Sequence, residues 1–210
     1  MKLFFKLFSQ QILLNLSTLI TTFSSFLSYI VVMPLMIGFS KDFLCYFHLG
    51  SIWICLLPPF LSERSFQNDF EDGTLELYCS SGYCLQKILL SKLVGRWVLQ
   101  ISGIFLTFPV LQLLYQFDQS KINWFTIIIG SLVLTLMCGI HSCLALGMTF
   151  NSWNSLQNIT TLPTLLPLIL FCTSIETEWF HVFLLMGYLL LFLFLYPILV
   201  SITLQKLISQ

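Results

Sequence analysis

The sequence predicts an all-α, polytopic membrane protein: one domain spanning residues 1–210, with six transmembrane helices. Three observations lead there. Apolar residues make up 57% of the chain and charged residues 9%, with a mean hydropathy of +0.91, whereas a soluble domain carries about 25% charged residues. Six apolar stretches are each near the length of about 20 residues that a helix needs to cross hydrocarbon. The charges gather in the short segments between those stretches, where water replaces lipid.

Each element follows from this pattern. In residues 1–17, Lys2, Lys6, Ser9 and Gln10 fall on one side of a helix and Leu3, Phe4, Leu7 and Phe8 around the rest, which predicts a helix lying along the membrane surface. The first span is expected near Leu19–Phe39 and the second near Leu44–Leu61, with Lys41 and Asp42 in the turn between them. A polar segment over 62–92 precedes the third span, near Leu93–Tyr115. Asp118 and Lys121 mark the next turn, and the fourth span runs near Trp124–Phe150. Asn151–Asn158 reads as an uncharged turn before a fifth span near Ile159–Ile175, which Pro163 and Pro167 should kink. Glu176 and Glu178 form the last turn, and the sixth span covers Trp179–Leu204.

Orientation follows from the cations. With six spans both termini share a side, and that side holds Lys2, Lys6, Arg64, Lys87, Lys92, Arg96 and Lys206, against Lys41 and Lys121 on the other. The excess marks the inner side. Trp97, Trp124, Trp153 and Trp179 fall at span ends, where an indole anchors to the interface. Gly95 with Gly103, and Gly139 with Gly147, offer places for close helix contact.

The most informative stretch is Leu61–Tyr78. It puts Glu63, Asp69, Glu71, Asp72 and Glu76, five of nine carboxylates, into fourteen residues. Each charge would cost about 2.5–3.5 kcal/mol in hydrocarbon, so the segment leaves the membrane. Phe66, Phe70 and Leu77 give one apolar stripe, and Gly73 allows a sharp turn into a second short helix. An amphipathic element of this kind between two spans suits docking on a soluble partner, with Leu75 and Leu77 filling an apolar groove on it. A solvated loop that tolerates charge fits the same pattern.

What is missing also constrains function. The chain has no GxxxxGK[ST], no HExxH, no GxSxG, no dinucleotide fingerprint and no CxxCH. It is therefore not expected to be an enzyme or to bind ATP by a P-loop. A net charge of zero without a basic tract argues against nucleic acid. The seven cysteines lie at 45, 55, 79, 84, 138, 143 and 172, without metal-site spacing, and read as buried or interfacial thiols. A single alanine beside 21 phenylalanines suggests a coding genome rich in A and T, such as an organelle genome, and the N-terminus has no Arg-rich transit-peptide composition.

The run Glu63-Arg64-x-Phe66-x-x-Asp69-x-x-Asp72-Gly73-Thr74-Leu75-Glu76 resembles the first long loop of the haem exporter protein B family, CcmB. Gly139-Ile140-His141-Ser142 and Ser174-Ile175-Glu176-Thr177-Glu178-Trp179 are similar to its mitochondrially encoded branch, and length and hydropathy agree over essentially the whole chain. Gln67 departs from the basic residue common in bacterial members. The resemblance implies an ABC-2-type permease-like fold and a role as the membrane subunit of the cytochrome c maturation ABC transporter in the mitochondrial inner membrane, both termini in the matrix. It implies ATPase coupling through Glu63, Arg64, Asp69, Glu71, Asp72, Gly73, Thr74, Leu75 and Glu76. The implied partners are the ATPase of the maturation system, its haem-handling membrane protein, a further small protein and the haem chaperone, with two copies of this chain per complex. Haem is then the cargo of the complex, and no cofactor is expected to reside in this chain. His141, nearly alone as an ionisable group at mid-span, is a candidate haem ligand, but a neutral histidine bonded to Ser142 or Ser131 is the plainer expectation. Direct haem export, a structural role in a respiratory complex and a membrane enzyme are the competing readings.

Overall fold

The computed structural model describes residues 16–37, 66–80, 85–115, 124–146, 150–174 and 179–208. All seven elements in these residues are helices: α1 (Leu16–Ile37), α2 (Gln67–Glu71), α3 (Thr74–Ser80), α4 (Leu85–Tyr115), α5 (Trp124–Leu144), α6 (Phe150–Ser174) and α7 (Trp179–Ile208). By length and composition α4, α5 and α7 can each cross a bilayer, over Leu85–Leu114, Trp124–Leu144 and Phe180–Leu204. Shorter apolar helical stretches, Leu19–Val32 and Ile159–Cys172, lie within α1 and α6. The expected surface helix up to residue 15 and the second span near Leu44–Leu61 lie outside the described residues.

Three sequence expectations change. The helix that holds the third span starts before Leu93: α4 begins at Leu85, so the last eight residues of the expected 62–92 loop are helical. At about 1.5 Å per residue α4 is roughly 46 Å long, well beyond the hydrocarbon thickness of about 30 Å. Its N-terminal turns can therefore carry Lys87, Lys92 and Arg96 towards the headgroups. The fourth span stops at Leu144 in a turn at Ala145 and Leu146, closed by hydrogen bonds from Ala145 N to His141 O (3.1 Å) and from Leu146 N to Cys143 O (3.2 Å). Finally, Asn151–Asn158 is not a turn but the opening of α6. Uncharged amides and hydroxyls allow a helix there as readily as a turn, because no charge forces the backbone into water.

The bundle is built around α5, which packs on α4, α6 and α7 and is buried over most of its length, from Thr126 to Cys143. Such all-round burial explains why α5 carries small and hydroxylated residues between its Leu, Ile and Val positions. Gly139 receives the ring of Tyr196 from α7: a Cβ there would lie 2.7 Å from Tyr196 Cε2. Gly103 of α4 allows the matching approach of α1, since a Cβ would lie 3.2 Å from Thr22 Oγ1. Both bear out the reading of these glycines as close-contact points. α7 instead exposes Phe180, Phe183, Leu190 and Phe194 on its outer face, the surface that lipid covers in a bilayer. Cys138, Cys143 and Cys172 are buried thiols outside any disulfide, and the Cys143 thiol meets Thr203 Oγ1 at 2.8 Å, linking α5 to α7.

Candidate functional site

The acidic segment folds as two short helices with a turn between them. α2 has five residues and α3 seven, far below the roughly 12–15 at which an isolated helix becomes marginal in water. Packing and caps hold them instead. Gly73 has φ +70, the left-handed region that a glycine enters without strain. There its N–H donates to Phe70 O at 3.2 Å, and the Thr74 hydroxyl donates to Asp69 O at 3.0 Å. Two of the carbonyls left over at the end of α2 are thereby satisfied.

The segment has an inner and an outer face, and the division corrects the expected stripe. Phe66 and Leu75 are buried at 1% and 2% exposure within the chain's own core. Phe70 and Leu77 point outward, as do Glu71, Asp72 and Glu76. Leu75 is therefore committed internally and is not the groove-filling residue expected of it. Two features break the stripe: Phe66 precedes α2 rather than lying on it, and the left-handed turn at Gly73 resets the phase before Leu77. Burying Phe66 and Leu75 stabilises the hairpin on the bundle by about 1.5–3 kcal/mol each. Glu63 and Arg64 lie outside the described residues.

Asp69 also faces inward, where it pairs with Lys92 of α4. The Lys92 and Asp69 side chains are only 10% and 22% exposed, so both charges are largely desolvated. The Lys92 ammonium lies 5.4 Å from the centroid of the Phe66 ring, within cation–π range. Around it Phe66, Lys92, Leu93, Arg96, Thr135, Gly139 and Tyr196 line a small, partly open pocket of about 10 Å³, room for one water. Tyr196 completes the site by donating its hydroxyl to Leu89 O at 3.5 Å. The early part of α4 and the later half of α7 thus meet at one end of the bundle, and α3 packs on both.

His141, expected at mid-span and nearly alone there as an ionisable group, lies in the last turn of α5, and other polar groups of the long helices are buried as well. Lys92, Arg96 and Gln100 recur every four residues on α4, with Lys92 and Gln100 buried and Arg96 half-buried. Their i, i+4, i+8 spacing was a readable signal, hidden by placing Lys92 in a loop. His141 itself bonds neither Ser142 nor Ser131. Its Nε2 lies 3.3 Å from Thr164 Oγ1 of α6, while the Ser142 hydroxyl donates to Gly139 O and Ser131 Oγ accepts from Trp97 Nε1 at 3.1 Å. Trp97, expected at a span end, lies well inside α4 and links it to α5. Thr164 lies between Pro163 and Pro167 inside the continuous helix α6. Its carbonyl also accepts the Tyr188 hydroxyl at 2.9 Å. One residue thus ties α6 to both α5 and α7 in the region where the prolines remove backbone donors.

A family profile described as CcmB protein matches residues 2–206. The chain belongs to the CcmB family. Relatives agree with that placement. A protein of Marchantia polymorpha, named as a cytochrome c biogenesis ccmB-like mitochondrial protein, is 83% identical over 209 residues, which is 100% of this chain and 76% of the relative. One of the same name from Arabidopsis thaliana is 70% identical over 190 residues, 90% of this chain and 92% of the relative. Heme exporter protein B of Haemophilus influenzae is 30% identical over 155 residues, 71% of this chain and 69% of the relative. The CcmB membership expected from the acidic run is borne out.

Proposed function

We propose that this chain is the membrane subunit of an ATP-driven ABC transporter complex for cytochrome c biogenesis, and that it couples hydrolysis by a partner ATPase to delivery of haem and release of the haem-loaded chaperone. Family membership and the relatives' names support the biogenesis role. The observation that carries coupling is the acidic hairpin. It presents Glu71, Asp72, Glu76 and Leu77 outward from a rigid mount, and the mount is keyed into the bundle through Phe66, Asp69 and Leu75. A merely solvated loop has no need of such a mount.

In this proposal the chain has six spans and lies in the mitochondrial inner membrane, with both termini and the hairpin on the matrix side. Its partners are the ATPase, the haem-handling membrane protein, the further small protein and the haem chaperone of the maturation system, and two copies serve one complex. Coupling is favoured over direct haem export on the strength of the mounted hairpin, whose inner side chains reach the bundle while its outer carboxylates stay exposed.

The test is copurification of the ATPase with the pair Asp72→Ala and Glu76→Ala. Charge-assisted hydrogen bonds contribute about 1.5–3 kcal/mol each, so losing two should weaken docking about a hundredfold or more. The variant should remain abundant in the membrane and lose its ATPase. Normal ATPase recovery would refute the docking role. Recovery of a respiratory complex with the unaltered chain would select the respiratory structural role instead.

A further inference from the structure

We infer that the Asp69–Lys92 pair, seated on the Phe66 ring, transmits movement of the acidic hairpin into the membrane helices. Asp69 and Lys92 are then positioning residues of coupling, distinct from the outward carboxylates that dock. The inference rests on the docking role proposed for the hairpin.

α2 and α3 are covalently joined and capped onto one another through Gly73 and Thr74, so the hairpin moves as a unit. Among the described side chains its inner face reaches the bundle through Phe66, Leu75, the partly buried Tyr78 and the Asp69 carboxylate. The carboxylate is on Lys92 of α4, and the ring of Phe66 lies under the same ammonium. The pocket beside them is lined from three membrane helices at once: Leu93 and Arg96 of α4, Thr135 and Gly139 of α5, and Tyr196 of α7. These three helices meet at the point where the hairpin is keyed.

The chemistry of that point differs from a plain anchor. Apolar contacts alone can slide, because one methyl replaces another at little cost. A desolvated ion pair cannot, because either charge left without the other is buried and uncompensated. When a docked partner pulls the hairpin, Lys92 must follow Asp69, and α4 must follow Lys92. The surroundings do not absorb the displacement: the Tyr196 ring is fully buried against Gly139 at a distance that leaves no room for a Cβ. Its hydroxyl reaches Leu89 O on α4, three residues before Lys92. Movement of this part of α4 is thus passed to α7 and α5 by side chains already in contact.

The experiment uses the whole complex carrying Asp69→Asn, Lys92→Gln or the conservative Asp69→Glu. Four quantities are read: membrane abundance of this chain, copurified ATPase, ATP hydrolysed by the purified complex, and holocytochrome c formed. Asp69→Asn and Lys92→Gln should keep abundance and bound ATPase within about twofold and should still hydrolyse ATP, while holocytochrome c falls at least tenfold. Asp69→Glu, which retains the charge, should keep more than a third of normal maturation. Normal maturation in Asp69→Asn overturns the inference. Loss of the ATPase from that variant overturns it too, by making Asp69 a docking residue. If Lys92→Gln does not accumulate, Asp69→Asn decides alone, and a matching fall in its abundance and maturation would make the pair purely structural. Failure of the docking proposal has a different signature, an unaltered chain that brings down no ATPase.

Discussion

Gly139→Ala is the sharpest test of the packing. The added Cβ would stand 2.7 Å from Tyr196 Cε2 and 3.5 Å from Cδ2, where carbon atoms normally stay about 3.5–4.0 Å apart. Something must move by nearly an ångström. The ring cannot rotate away cheaply, since Tyr196 is 2% exposed and belongs to the central core cluster. Overpacking of this kind costs about 1–3 kcal/mol, and alanine returns up to about 1 kcal/mol through its better helix propensity. The net expectation is a destabilisation of up to about 2 kcal/mol, together with loosening of the hydroxyl contact to Leu89. Thermal unfolding in detergent measures it. Gly187→Ala is the control, because nothing lies within 4 Å of a Cβ at that position, and it should be neutral or slightly stabilising. Tyr196→Leu in the Gly139→Ala background should recover part of the loss by removing the clashing ring edge. If Gly139→Ala is as stable as Gly187→Ala, the close approach of α5 and α7 is wrong, and the junction beneath the hairpin is looser than argued.

Two other substitutions probe the hairpin turn and the last turn of α5. A Cβ at Gly73 meets no atom within 4 Å, so the main cost of Gly73→Val is conformational. A β-branched residue at φ +70 should lose about 1–3 kcal/mol locally; the chain should stay abundant while its ATPase detaches, and undiminished copurification would show that the turn geometry is dispensable. His141→Gln should retain most cytochrome c maturation, because an amide can still meet the Thr164 hydroxyl. A loss of bound haem alongside lost maturation would instead make His141 a ligand.

Much of this architecture was legible in the sequence for simple reasons. Hydropathy located α1, α4, α5, α6 and α7, because lipid-facing and core-facing positions are alike apolar and need no periodicity to be seen. Gly73 was readable as a turn because it lies between two polar helical runs, and its left-handed φ follows from that role. What failed did so where a charge or a polar run was equated with a loop. Lys92 ended the expected loop, yet it lies within α4, since a long stem with a carboxylate partner can be buried where an isolated ammonium cannot. The pairing itself could not be read, because it depends on the hairpin folding back by way of Gly73 and Thr74.

The same fold-back separates two roles that the sequence ran together. Nine residues between Glu63 and Glu76 stood as a single coupling surface. In the structure Asp69 and Leu75 turn inward, Gly73 and Thr74 shape the turn, and Glu71, Asp72 and Glu76 face outward. A docking surface needs exposed oxygens on a fixed base, and a transmitting element needs desolvated contacts that cannot slip. One short hairpin supplies both, because its helices alternate inward and outward positions on either side of a left-handed glycine. On the proposed coupling, a partner bound to the outer carboxylates would act on α4 through Asp69 and Lys92, without touching the membrane helices.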